Sequence, residues 1–184
     1  MRSDPASIAA RVLASALARP ATLGQGRLIC IDGLAGSGKT TLAAAVRAQA
    51  RCRVLHLDDF YPGWRGLDRV ADQVGPLLHE LASGRPGTYR RWDWDQDAFV
   101  EEVTVDPSPL LVIEGVGAGH RSWSDLITLL VWLDSTQATR LERGLDRDGA
   151  AVRDQWIQWQ DDEQAMLAKE GTDRRADLVV DTND

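Results

Sequence analysis

Gly33-Leu34-Ala35-Gly36-Ser37-Gly38-Lys39-Thr40 fits the pattern G-x-x-x-x-G-K-[ST] at every specified position. Glycines let a backbone enter positive φ and turn several N–H groups toward one centre, which makes a nest for an anion. An apolar strand pattern precedes the run. The segment after it, TTLAAAVRAQA, reads as a helix with Leu42 and Val46 as buried positions at i and i+4. The positive end of that helix is aimed at the same centre. The chemistry is that of a phosphate cradle for a nucleoside triphosphate. The backbone from Gly33 to Thr40 holds the phosphates, Lys39 reaches the β- and γ-phosphates, and the Thr40 hydroxyl is a ligand for Mg²⁺. Thr41 has two readings, a second hydroxyl near the phosphates or a plain first-turn helix residue. Only Lys39 and Lys169 are lysines among 21 basic residues. A compact ammonium on a thin stem, where every other basic position but one is a broad guanidinium, suits a narrow site.

Carboxylates are the next group whose positions could do chemistry. PLLVIEG is a buried strand pattern ending in Glu114, and a carboxylate at a strand end beside the cradle can hold Mg²⁺ directly or through water. HLDDFYPGW ends another strand pattern and offers Asp58 as a base that takes the proton of an acceptor hydroxyl. Asp59 competes with it, although an Asp opening a Phe-Tyr-Pro-Gly turn often only caps that turn. Asp32 either joins the outer shell of the metal or hydrogen-bonds to the loop. The segment YRRWDWDQDAF, Tyr89 to Phe99, interleaves aromatic rings with carboxylates, a mixture that stacks on planar groups and grips hydroxyls. With Asp58, the candidate acceptor contacts are Tyr61, Arg91, Asp93 and Asp95. The plainer alternative has Trp92 and Trp94 as packing residues and Asp95 as the cap of a helix running through Phe99. Arg140, Arg143 and Arg147 recur at spacings of three and four and share one helical face. They read either as a salt-bridged surface or as a lid whose Arg143 and Arg147 stabilise charge on a transferring phosphoryl group.

The elements that must carry these residues follow from hydrophobic patterning. Five apolar runs read as strands: Arg27 to Asp32, Arg53 to Leu57, Leu110 to Glu114, Thr128 to Leu133 and Leu178 to Asp181. They lack polar alternation, as strands covered on both faces do. Helical patterns lie between most of them, at Lys39 to Gln49, Asp68 to Ala82, Thr136 to Arg143 and Gln155 to Lys169. Alternation of this kind implies an α/β fold with a mainly parallel sheet, and every motif above falls at a strand's carboxyl end. Near the N-terminus, Asp4-Pro5 reads as a helix cap and first turn, with Ile8, Val12, Leu13 and Leu17 at helical spacing.

Composition narrows the class. A chain of 184 residues is expected to form one domain, with residues 1–20 as an N-terminal helix and 135–153 as a short lid. The net charge of −7 argues against general nucleic-acid binding, and no apolar run is long enough to span a membrane. Arg11 interrupts the N-terminal apolar letters, against a signal peptide, and two scattered cysteines suit a reduced, cytoplasmic chain. A GTP switch would need an Asn-Lys-x-Asp loop, and the single Asn is Asn183. No signal specifies an oligomeric state.

In this order, the segments resemble the uridine kinase family and its phosphoribulokinase and pantothenate kinase relatives, over Leu28 to Asp181. IDGLAGSGKTTLA is similar to the family's cradle, LDDFYPG to its Asp-x-Phe-Tyr segment, WDWDQDAF to its acceptor-binding segment, IEG to its strand-end Glu, and TRLERGLDRD to its lid helix. The resemblance implies a P-loop NTPase three-layer αβα fold with a five-stranded sheet in order 2-3-1-4-5. It also implies ATP and Mg²⁺ as cofactors, Asp58 as base, and a small-molecule acceptor, a nucleoside such as uridine leading. Gly144 stands where the family's pattern has a second arginine. The Arg-Gly-Arg run beyond the lid is absent, with Arg153 the nearest substitute, and the family's His-Pro is missing. These departures leave room for another acceptor, such as a sugar acid, a pantothenate-like alcohol or a nucleoside monophosphate, or for a nucleotide-binding regulator.

Overall fold

In a computed structural model, which describes residues 4–183, the first strand β1 (Arg27–Gly33) leads through the glycine loop into α2 (Lys39–Gln49). Its side chains alternate between two cores. Leu28 and Cys30 enter one cluster, and Ile29 and Ile31 enter the other. Both faces are covered, which is the physical reason that the strand shows no polar alternation. β2 (Arg53–His56), β5 (Leu110–Glu114), β6 (Leu129–Asp134) and β7 (Leu178–Asp181) complete a parallel five-stranded sheet in the order β2-β5-β1-β6-β7. Counting the main-sheet strands alone, this is the expected 2-3-1-4-5.

On one face α1 (Pro5–Leu17) and α2 bury Ile8, Val12, Leu13, Leu42 and Val46 against Val112, Leu129 and Val131. Asp4 caps α1 by accepting from the Ala6 N–H at 3.3 Å, and Pro5 occupies its first turn. Leu17 departs from the expected apolar stripe: it closes the helix exposed, and Ala16 takes the buried position. The opposite face is covered by α3 (Val70–Ala82), by Trp123, and by Trp159 of α5 (Arg153–Glu170).

The helix through Phe99, which belongs to the plainer of the two readings of this segment, is not formed. Residues Gly87–Asp93 (β3) and Ala98–Val105 (β4) make a separate antiparallel hairpin, with an irregularity between Arg91 and Trp92. The helix predicted over Thr136 to Arg143 continues to Asp148 as α4 (Gln137–Asp148), and a single 3-10 turn at Ala150–Val152 connects it to α5. A four-residue helix, α6 (Thr172–Arg175), precedes β7. Among the described residues no helix is long and apolar enough to cross a membrane.

Candidate active site

The glycine loop lies between the carboxyl end of β1 and the first turn of α2. Gly38, in left-handed conformation at φ 94°, delivers the chain into that helix. At Gly36 (φ +80°) a side chain is excluded twice over, because a Cβ there would lie 2.4 Å from the Arg140 carbonyl oxygen. Lys39 is buried and its ammonium donates to the Leu34 carbonyl at 3.1 Å, folding back across the loop.

A buried ion pair grips this loop from outside. Arg140 of α4 and Glu163 of α5 are 2% and 0% exposed and meet at 2.5 Å. Glu163 Oε2 accepts from the Ala35 N–H at 2.6 Å, and Arg140 Nη1 donates to the Ala35 carbonyl at 3.1 Å. Each charge is thereby satisfied by the partner and by one peptide of the loop, as burial requires. Asp32 resolves its two readings toward the loop. It accepts from the N–H groups of Gly33, Gly117 and Gly119 at 2.7, 3.0 and 2.8 Å, tying the cradle to the turn after β5. Burial pushes its carboxyl up, and those three donors and Lys39 oppose the shift.

Thr40 and Glu114, the two expected metal ligands, are brought together. The Thr40 hydroxyl donates to Glu114 Oε1 at 3.0 Å, and Glu114 is 4% exposed at the end of β5. The same oxygen accepts from His56 Nδ1 at 2.6 Å. No hydrogen bond to Oε2 is formed among the described residues. A hydroxyl and a carboxylate with one open oxygen are hard donors that fit Mg²⁺ held in part through water. His56 was missed by sequence reasoning. It ends β2 directly across from Glu114 in the parallel register, a pairing invisible without knowledge of which strands are neighbours. The hydrogen bond to Glu114 raises the His56 pKa, and burial works against it.

Asp58 lies in the 3-10 turn Leu57–Asp59 that follows β2. It opens to solvent, yet the surrounding protein removes enough water to push its carboxyl above the ordinary range. Glu114 adds to the shift, and Lys39, Arg147 and His56 act the other way. Asp59 is also raised, by burial first, but its electrostatic neighbours include Arg91 and Tyr89 of the hairpin. Of the two, Asp58 is thus the one in the field of the cradle lysine and Glu114.

The remaining candidates divide. Tyr61 is not at the cleft: it is buried, its hydroxyl donates to the Val116 carbonyl at 2.8 Å, and its ring packs edge-on against Trp159. Asp93 accepts from the N–H groups of Asp95 and Gln96 and from the Gln96 amide, so its carboxylate is spent on the hairpin turn and its pKa is lowered by those donors. Asp95 sits exposed at the tip of that turn, in no helix to cap. Arg91 pairs across the hairpin with Glu101 at 2.5 Å. Trp94 is 40% exposed, packs edge-on to Trp64 at 5.5 Å, and donates its indole N–H to the Asp58 carbonyl at 2.9 Å. The hairpin therefore supplies an aromatic wall anchored to the backbone of Asp58.

On α4, Arg143 donates to the Thr182 carbonyl at 2.9 Å and makes a longer contact with the Gly36 carbonyl at 3.5 Å. Arg147 forms two hydrogen bonds with Asp148, at 2.7 and 2.9 Å, and lies over the Trp156 ring. Gly144 has a packing reason: a Cβ there would fall 2.5–2.7 Å from atoms of the Trp156 ring. A cavity of about 450 Å³ is lined by Arg65, Leu67, Asp68, His120 and Met166 among others, and by none of Lys39, Thr40, Asp58 and Glu114.

No protein-family model matches the chain, and no curated protein matches its sequence. Solved structures do. The chain is similar to a "possible uridine kinase" from Bacillus stearothermophilus, at 25% identity and a TM-score of 0.60, over 85% of this chain and 89% of that one. It is also similar to a "putative fructose transport system kinase" from Silicibacter sp. TM1040, at 22% identity and a TM-score of 0.60, over 97% and 100% of the two chains. These likenesses agree with the sheet order in placing the fold among P-loop small-molecule kinases.

Proposed function

We propose that this chain is an ATP-dependent small-molecule kinase, built as a single domain, that transfers the γ-phosphate to an acceptor hydroxyl. The observation that carries the reading is the Thr40–Glu114 pair at the carboxyl end of β5, with Lys39 and Asp58 in its electrostatic field, beside a loop whose Gly33, Gly36 and Gly38 take positive φ. The loop N–H groups and Lys39 bind the triphosphate. Thr40 and Glu114 hold Mg²⁺, which screens phosphate charge when bound. Asp58 takes the acceptor's proton as the acceptor oxygen forms its bond to the γ-phosphorus, while the bond to the β–γ bridging oxygen breaks and ADP leaves. Trp94 and Trp64 wall the acceptor side. Arg143 and Arg147, on the 135–153 lid, release their present partners and turn their guanidinium groups to the transferring phosphate.

A nucleoside such as uridine is the leading acceptor, supported by the similarity to the possible uridine kinase. A sugar acid, a pantothenate-like alcohol or a nucleoside monophosphate are the competing acceptors. One observation favours a second reading, that of a nucleotide-binding regulator: Arg147 is engaged with Asp148, and Gly144 offers no second lid cation. Purified protein incubated with ATP, Mg²⁺ and an acceptor panel separates these. A phosphorylated product formed from one acceptor with stoichiometric ADP supports the kinase. ATP binding with no acceptor accelerating ADP formation supports the regulator.

A further inference from the structure

His56 belongs to no segment that carried the kinase resemblance, and of the two hydrogen bonds to Glu114 among the described residues it makes the shorter. A carboxylate only accepts hydrogen bonds, so at 2.6 Å the imidazole Nδ1 bears the proton and donates to Glu114 Oε1. Thr40 donates to that same oxygen at 3.0 Å. Two donors from two elements, the end of β2 and the first turn of α2, therefore fix one oxygen of a side chain that is 6% exposed. Two directions of restraint leave a carboxylate little freedom to rotate, and the other oxygen, Oε2, takes no hydrogen bond among the described residues. His56 itself is no core residue. It ends an edge strand and its side chain is 42% exposed, so packing alone does not account for an imidazole at this place.

We infer that His56 is a positioning residue: its Nδ1–H locks Glu114 so that Oε2 is presented to the divalent cation accompanying the nucleotide at Thr40. It thereby sets the Mg²⁺ requirement of nucleotide binding. The inference rests on the kinase reading of the cradle and extends it to a residue outside the motif. Hydrogen-bond partners that orient a metal's ligands typically change its affinity about 10–100-fold when removed.

The test is binding of a fluorescent ATP analogue, titrated with Mg²⁺ and repeated in EDTA, on wild type, His56→Ala, His56→Leu and His56→Asn. The Asn amide can donate from the place of Nδ1, whereas Ala and Leu cannot, and Leu keeps much of the volume. For Ala and Leu the Mg²⁺ concentration at half-saturation should rise roughly 10–100-fold. It should stay close to wild type for Asn, and affinity in EDTA should be the same for all four. Unchanged Mg²⁺ dependence in Ala and Leu overturns the inference. So does an equal loss of binding with and without Mg²⁺, which would make His56 part of the cradle or the fold. Wild-type protein that binds no nucleotide under either condition overturns the kinase reading itself, an outcome distinct from the other two.

Discussion

Two adjacent carboxylates, Asp58 and Asp59, differ in what surrounds them, and that difference underlies the role proposed for Asp58. Asp58 sits in the field of Glu114, Lys39, Arg147 and His56, whereas Asp59 lies among His56, Arg91 and Tyr89. Asp58→Asn should lower turnover by about 10²–10⁴-fold, the usual worth of a general base, with nucleotide affinity nearly intact by calorimetry. Asp59→Asn should retain most activity. The raised pKa of Asp58 fixes the direction of two further effects. A base works deprotonated, so kcat/KM should fall as pH drops through a midpoint above the ordinary Asp value of 3.8. The same shift means that the folded state binds that proton more tightly than the unfolded chain, so ionised Asp58 opposes folding near pH 7. Asp58→Asn should therefore melt at or above the wild-type temperature there, and a lower melting temperature would contradict the assignment. Not all of these residues were legible in sequence. Lys39, Thr40 and Glu114 stood out by motif and strand end, but His56 needed the register of β2 on β5, and the burial of Tyr61 against Val116 depends on a contact 55 residues away in sequence.

α4 and α5 act on the cradle as a unit. Glu163 holds the N–H and Arg140 the carbonyl of Ala35, so removing one charge strands the other in a dry site. Glu163→Gln should cost about 3–5 kcal/mol in urea denaturation, whereas the double exchange Arg140→Met with Glu163→Leu should cost much less. At Gly144, two effects oppose each other. Alanine is the better helix former by about 1 kcal/mol, but its Cβ would collide with Trp156, and overpacking costs about 1–3 kcal/mol. Gly144→Ala should therefore be net destabilising by denaturant midpoint, and a stabilised variant would show that Trp156 yields easily. The hairpin β3–β4 escaped sequence reasoning for a related reason. Its tip, WDWDQD, carries the acidic residues of a helix N-cap, and the strand after it, AFVEEVTV, has most of its side chains in solvent. Only Val105 of that strand is fully buried, with Val103 partly so, and this leaves too short an alternation to give the signal that the main strands carry.

At the scale of the whole molecule, three layers converge on one edge. The parallel sheet brings the ends of β1, β2 and β5 together, and the covered faces made its strands readable as apolar runs. Strand order came from resemblance and agrees with the observed pairing. Contacts between α4, α5 and the loop could not be read, because their partners are far apart in sequence. What the fold assembles at that edge is a glycine loop, the Lys39 ammonium, and the Thr40–Glu114 pair near the Asp58 carboxylate. The most direct measurement is a crystal structure with Mg²⁺ and a non-hydrolysable ATP analogue. Its phosphates should lie within hydrogen-bond reach of the N–H groups of residues 34–40, with Lys39 turned from the Leu34 carbonyl to the phosphates and the cation at Thr40. Analogue bound elsewhere, or a glycine loop without it at saturating concentration, would contradict the central claim.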